Sequence, residues 1–313
     1  MTHARTIKMP DGRRVAARPD PLALFLAQQP LPRYAVTAVS ARPGSTDTQS
    51  STRRDYHTES FDIRKLAGGE VTLFGAGSVG SYLACALAPA GLKINVVDAG
   101  IVRARHTLGG RTAYNPAHVG LKKVNALKDK IERDFPGTIV IPLPYHTTEI
   151  PDSQIKIKQR RSLVTIVAID DSEQMLRLSD LTYPITELVQ PAMHANGTSG
   201  HIVACFPFVT PCLRCTLGIE SSDDIHRLDS EPASGLDIAA VAHQAARMTL
   251  DIAYSKVTGQ PITRWDVAKN LIYISNTKDE LRQDGPGLTF EESRRRPGCP
   301  VCDITRPHKG VSK

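Results

Sequence analysis

No run of apolar residues in this 313-residue chain approaches the roughly 20 that a bilayer-spanning helix needs. The first residues, MTHARTIKMPDGRR, lack the apolar core of a secretory signal. A membrane role is therefore not expected, and a cytoplasmic location is. Charge of one sign is not segregated either. The net charge of +7 and isoelectric point near 9.1 arise from acids and bases interspersed along most of the chain. Such a balance bears on solubility and ligand steering more than on nucleic-acid binding. The chain shows no internal repeat. Its six cysteines are few for a protein this long, and in an intracellular chain they point to metal or chemistry rather than a disulfide framework.

What is present begins with Glu70 to Asp98, EVTLFGAGSVGSYLACALAPAGLKINVVD. An apolar run, Val71 to Phe74, meets Gly75, Gly77 and Gly80 in GAGSVG. A helix-like stretch follows, then a second apolar run that ends on Asp98. This is the pattern of a first β-α-β unit that binds a nucleotide. The glycines allow a tight turn and close approach to a phosphate, the helix N-terminus offers N–H groups to the anion, and the acid can hold a ribose hydroxyl. By itself the pattern suits a dinucleotide oxidoreductase as well as an ATP enzyme.

The remaining chain is long enough for one large α/β domain with an appendage. Residues 1–60, rich in Pro, Arg, Ser and Thr, read as a loosely ordered arm in which only Leu22 to Leu31 could form a helix. Residues 61–313 read as the large α/β domain. Val119, Val124, Leu127, Ile131 and Phe135 recur at helical spacing, and Thr138 to Leu143 reads as a strand. Lys156 to Arg161 reads as a basic bridge. Leu163 to Ile169 is a continuous apolar run, as in a parallel strand buried on both faces, and a helix is expected from about Glu173 to Val189. His201 to Phe206 and Asn270 to Asn276 read as strands, and Ala239 to Val257 as an amphipathic helix. The alternation predicts a doubly wound, mostly parallel Rossmann-like sheet with a C-terminal antiparallel extension, its ligand lying beyond the carboxyl ends of the strands.

Cys212-Leu-Arg-Cys215 and Cys299-Pro-Val-Cys302 supply four thiols in two matched pairs, the donor set of a closed structural zinc site. Redox pairs or unrelated thiols are the competing readings. The long interval between the pairs means that a shared ion would tie the C-terminal tail to the middle of the chain. Cys85 and Cys205 read as small packing residues.

From about Val71 to Asp303 these features resemble, in order, the E1-like adenylyltransferases of the ThiF/MoeB/HesA group. They are GAGSVG, the strand ending at Asp98, VGLKKV with Lys123, the strand ending at Asp171, the stretch HANGTSGHIVACF, and CLRC with the terminal GCPVC. The resemblance implies an ATP-dependent, magnesium-dependent homodimer. Such an enzyme adenylates the C-terminal carboxylate of a ubiquitin-like or sulfur-carrier protein or peptide. It implies that Asp98 holds ribose, Lys123 and Arg111 the phosphates, and Asp171 a magnesium ion. Nucleic acid is not an expected partner, although adenylation of a modified tRNA base is a variant of the same chemistry.

Departures from the family pattern are also visible. Gly100 stands where a second acid is usual, Asp171-Ser172 replaces an Asp-Asn pair, and the arginine expected next is at best Arg177. Asp229 to Gly235, which corresponds to the loop carrying the thioester cysteine in some members, contains no cysteine. Adenylation without a thioester of its own is therefore expected. The alternatives are an inactive E1-like scaffold that binds nucleotide or partner, and an NAD-dependent oxidoreductase.

Overall fold

A computed structural model of the chain describes residues 6–8, 14–16, 61–194, 197–219, 233–278 and 285–303. They belong to two compact units, 1–56 and 57–313. In the first, β1 (Thr6–Lys8) pairs antiparallel with β2 (Arg14–Ala16). The helix expected over Leu22 to Leu31 lies outside the described residues.

The second unit carries strands β3 (Glu70–Phe74), β4 (Lys93–Val97), β5 (Ile139–Leu143), β6 (Val164–Val167), β7 (Glu187–Met193), β8 (Ser199–Cys205), β9 (Leu271–Ser275) and β10 (Gly287–Glu291). Its helices are α1 (Ser78–Leu87), α2 (Lys123–Asp134), α3 (Asp152–Arg161), α4 (Ser172–Thr182), α5 (Leu213–Thr216) and α6 (Gly235–Thr258). The strands form one sheet in the order β10-β9-β8-β7-β6-β3-β4-β5. Pairing is parallel from β5 through β7 and antiparallel from β7 through β10. From β3 the chain winds outward to β4 and β5, then returns to β6 on the other side. That reversal opens a crevice at the carboxyl ends of β3 and β6.

Every residue of β3 and β6 is buried, which explains why their sequences run apolar without alternation. On one face, α1 and α6 cover the sheet with Leu83, Ala84 and Leu87 and with Val241, Ala242, Ala245 and Ala246. Gly80 brings α1 close to the end of β3. A Cβ there would lie 2.1 Å from the Gly75 carbonyl oxygen.

Three details depart from the sequence reading. The helix expected to reach Val189 stops at Thr182, because Pro184 has no N–H and cannot continue it. The following Glu187–Met193 is instead a parallel strand, with Glu187 opposite Val164. Lys156 to Arg161 is the second half of α3, not a bridge. Only Ile155 and Gln159 of that helix are buried, so its polar sequence hid the helical period. Val119 lies ahead of α2 and is exposed rather than part of its apolar face. Among the described residues, no helix is long and apolar enough to cross a membrane.

Candidate functional site

Gly75 follows β3 with φ of +97°, and a Cβ on it would meet the Ala168 carbonyl oxygen at 2.2 Å. Only glycine allows the chain to turn this close to the end of β6. Its N–H donates to the Val97 carbonyl at 2.9 Å, which locks the turn to β4. Gly77 is the N-cap of α1, has no side-chain cap, and stands beside open space. The first N–H groups of α1 are thus left for an anion.

Asp98, just past β4, holds this turn together. Its Oδ2 accepts the Ala76 N–H at 2.8 Å and its Oδ1 accepts the Gly100 N–H at 2.7 Å. Lys123, the first residue of α2, places its ammonium 3.5 Å from Asp98 Oδ2. The Lys123 N–H in turn donates to the Gly100 carbonyl at 3.0 Å. Gly100 makes room for the pair, since a Cβ there would sit 2.8 Å from Asp98 Oδ1 and 3.2 Å from Lys123 Nζ.

Tyr114 completes the turn and carried no signal in the sequence, where it is a single aromatic residue in a polar loop. It is buried, and its hydroxyl donates to the Ala76 carbonyl at 2.9 Å and lies 3.3 Å from the Lys123 carbonyl. Burial first, then the charges of Asp98 and Cys85, raise its pKa, so it remains a donor. The peptide group of Ala76 is therefore held at its N–H by Asp98 and at the neighbouring carbonyl by Tyr114. Tyr114→Phe is expected to destabilise the protein by about 1–2 kcal/mol, because a buried carbonyl loses its donor. Melting curves of the wild type and the variant test this.

The loop between Asp98 and α2 is strongly basic. The pKa of His106 is lowered by burial and then by Lys123, Arg105, Arg103 and Arg111, whose charges converge on it. The structure thus puts Arg111 in the same electrostatic neighbourhood as Lys123 and adds Arg103 and Arg105, which the sequence reading passed over. The loop is anchored by Ala113 N–H to Ser81 Oγ at 3.0 Å, Thr112 Oγ1 to the His106 carbonyl at 2.6 Å, and the Tyr82 hydroxyl to the Gly110 carbonyl.

Asp171 stands beyond β6, exposed beside Asp170. It is the N-cap of α4, and its Oδ1 accepts the Gln174 N–H at 3.0 Å. Arg177 is committed elsewhere. Its guanidinium donates to the Thr147 carbonyl at 3.0 Å, the Ile150 carbonyl at 2.9 Å and Asp152 Oδ1 at 2.5 Å, clamping the segment after β5.

At the far end of the sheet, the sulfurs of Cys212, Cys215, Cys299 and Cys302 all lie within 4.8 Å of one another. Cys212 and Cys299 are 3.6 Å apart, Cys215 and Cys302 3.5 Å. Tetrahedral zinc with Zn–S near 2.3 Å needs sulfurs about 3.8 Å apart, so the set fits the ion. The Arg296 N–H donates to Cys215 Sγ at 3.3 Å, a bond that favours a thiolate. Close by, Asn270 Oδ1 accepts the Ser293 hydroxyl at 2.5 Å and Asn270 Nδ2 donates to Thr216 Oγ1 at 3.0 Å, a second tie between tail and body.

Cys205 is fully buried and Cys85 half-buried; burial raises both thiols, that of Cys85 to about 11. Residues 229–232 lie outside the described residues, and Ser234 caps α6.

The chain is similar to several known proteins. It is 29% identical over 154 residues to the maize (Zea mays) adenylyltransferase and sulfurtransferase MOCS3-1, a match covering 49% of this chain and 32% of that protein. It thus spans about a third of that relative's length. Among solved structures, E. coli MccB with ATP shares the fold, with a TM-score of 0.60 at 16% identity over 77% of this chain and 68% of MccB. PaaA aligns with a TM-score of 0.53 at 16% identity over 74% of each chain. The ThiF family matches residues 54–301, most of the chain. The sequence match, the switch-point crevice and the paired cysteines agree: the chain belongs to the ThiF family.

Proposed function

We propose that the protein uses ATP to adenylate the C-terminal carboxylate of a ubiquitin-like or sulfur-carrier protein or peptide, releasing pyrophosphate, without a catalytic cysteine of its own. The observation that carries this reading is an acid at the end of β4 that is paired with a lysine beside a free helix N-terminus and followed by a basic loop. Asp98 accepts the Ala76 N–H just ahead of α1 and pairs with Lys123, and Arg103, Arg105 and Arg111 charge the loop around His106. A nicotinamide dinucleotide carries two phosphates and does not call for so many cations; a triphosphate does.

A C-terminal carboxylate has a pKa near 3.5 and is already ionised at neutral pH, so no general base is required. Its oxygen attacks the α-phosphorus, a C(O)O–P bond forms, and the bond to the pyrophosphate oxygen breaks. The protein must position the reactants and neutralise charge, the main needs of phosphoryl-type transfer. With one N–H of its ammonium directed at Asp98, Lys123 retains two for phosphate oxygens, and Arg111 adds charge from the loop. Asp171, with Asp170 beside it, offers hard oxygen donors suited to magnesium, which would supply further neutralisation when bound. Zinc held by the four cysteines would have a structural role, joining α5 to the tail. A homodimer in the cytoplasm fits the family pattern. The arm of residues 1–60 is proposed as a part separate from the adenylation domain at 61–313.

ATP–pyrophosphate exchange that depends on an added acceptor tests the proposal. Asp171→Ala should reduce exchange by about 100-fold or more, the scale of lost charge stabilisation at a reacting phosphate. Two observations favour a second reading, an inactive nucleotide- or partner-binding scaffold: Arg177 is turned into a structural clamp and Asp171 caps a helix. Absence of exchange with every ubiquitin-like or peptide acceptor, while ATP still binds, would decide for the scaffold.

A further inference from the structure

The geometry points to the β7–β8 hairpin as an acid-sensitive catch, closed by a one-way chain of hydrogen bonds in which His201 must stay neutral. Val189 of β7 stands opposite Ile166 of β6, and β7 runs on to Met193, so the hairpin turn lies at the carboxyl edge of the sheet, where the crevice opens. On one face of these strands the Tyr273 hydroxyl lies 3.4 Å from Ser199 Oγ, and Ser199 Oγ lies 3.2 Å from His194 Nδ1. His194 Nε2 is in turn 3.0 Å from His201 Nδ1, and His201 Nε2 is 3.1 Å from Gln190 Oε1. The backbone closes the same turn, with the His194 N–H donating to the Ser199 carbonyl at 2.9 Å.

The direction of the chain is set at its inner end. Gln190 Nε2 donates to the Pro191 carbonyl at 3.3 Å, which turns the amide oxygen toward His201. An amide oxygen only accepts, so His201 Nε2 carries the hydrogen. The neutral imidazole then has a bare Nδ1, and His194 Nε2–H donates to it. An extra proton on His194 is tolerated, because its Nδ1–H can donate to Ser199 Oγ. One on His201 is not, since it would set N–H against N–H across 3.0 Å. Nor can the chain pass a proton on, because it ends on an amide that does not titrate. The groups that face His201 offer no compensating anion. β7 presents Gln190, β9 presents Tyr273, and the turn presents His194 and Ser199. α6 lies on the other face, where Gly200 abuts Val241, and Asp180 of α4 is paired with Arg214 of α5 at 2.8 Å. Burial first, and then the charge of His194, lowers the His201 pKa to about 4.

Once the hairpin opens, His201 returns to the ordinary imidazole value of about 6.5. Its closed-state value is the lower one, so the open form binds more protons between those two values, and closure weakens as pH falls through that window. Amide hydrogen exchange of residues 190–194 and 199–205 in the full chain, corrected for the intrinsic chemical rate, reads the opening. From about pH 7.5 to about pH 5 the opening equilibrium should rise at least about tenfold in the wild type. His201→Gln keeps a donor for Gln190 and an acceptor for His194 on a side chain that does not titrate, so its rise should be at least about threefold smaller. No rise in the wild type, or an equal rise in the two proteins, would overturn the proposal. Nitrogen NMR of the imidazoles in the wild type at about pH 6 needs no variant to fold. It should find His201 neutral with its hydrogen on Nε2; a charged His201, or a hydrogen on Nδ1, would overturn the catch as well.

Discussion

Cys212→Ser is expected to cost the protein about 4–5 kcal/mol or more of stability, the range reached when a metal site is lost. For a domain of this size that is a fall in melting temperature of roughly 10 °C or more. Cys212 precedes α5, and its sulfur is buried against Cys299 at 3.6 Å, so the substitution removes one of four donors and uncouples residues 87 positions apart. The tail should not detach completely. Ser293, held through Asn270 and Thr216, anchors it independently of the sulfurs. Partial opening is therefore expected first around residues 296–303, visible as hydrogen exchange there before the sheet melts. Metal analysis of the purified wild type should find one zinc per chain and its loss in the variant. Protein that contains no zinc, or that melts unchanged with a strong chelator, would contradict the assignment.

Asp98→Asn should weaken nucleotide binding by about 100-fold. The substitution removes the charge that Lys123 pairs with and replaces one acceptor by an N–H₂ that must face the Ala76 or the Gly100 N–H. Losing one charge-assisted bond and leaving the other a neutral one corresponds to roughly 3 kcal/mol, or a weakening of about 100-fold. Because only a ligand that prefers the native state raises its stability, the shift in melting temperature produced by ATP should vanish. The protein itself should still fold, since Asp98 lies at the rim of the crevice and is not in the main apolar core. An ATP-induced shift equal to wild type would remove Asp98 from the site.

The parallel half of the sheet was legible along the chain because its strands are short apolar runs closed by Gly75, Asp98 or Asp170. Such runs have few alternatives in an alternating pattern. β7 was not legible. Its apolar residues continue those of α4 without an apparent gap, and only Pro184 marks the break, at a place where a kink would have served equally well. α3 was hidden for a different reason. A helix packed against β3 and α4 through only two buried residues has almost no periodicity to read.

Around the proposed nucleotide site, residue types and spacing were enough to nominate Gly75, Gly77, Gly80, Asp98 and Asp171, because a tight turn, a free helix end and an acid at a strand end are local arrangements; Lys123 was nominated only through the family resemblance. The pairing of two CxxC motifs was likewise readable, since matched thiols have few other uses. What depended on the folded chain was every relation across the sequence. Tyr114 reaches back 38 residues to the Ala76 carbonyl, and Arg177 is diverted into a clamp on the segment after β5. Gly100, which in the chain is only an absent side chain, makes the space in which Lys123 meets Asp98. Local conformational preference acts over a turn or two and can be read along the chain. Which donor takes which lone pair is decided by packing between distant segments, and that exists only once the sheet has formed.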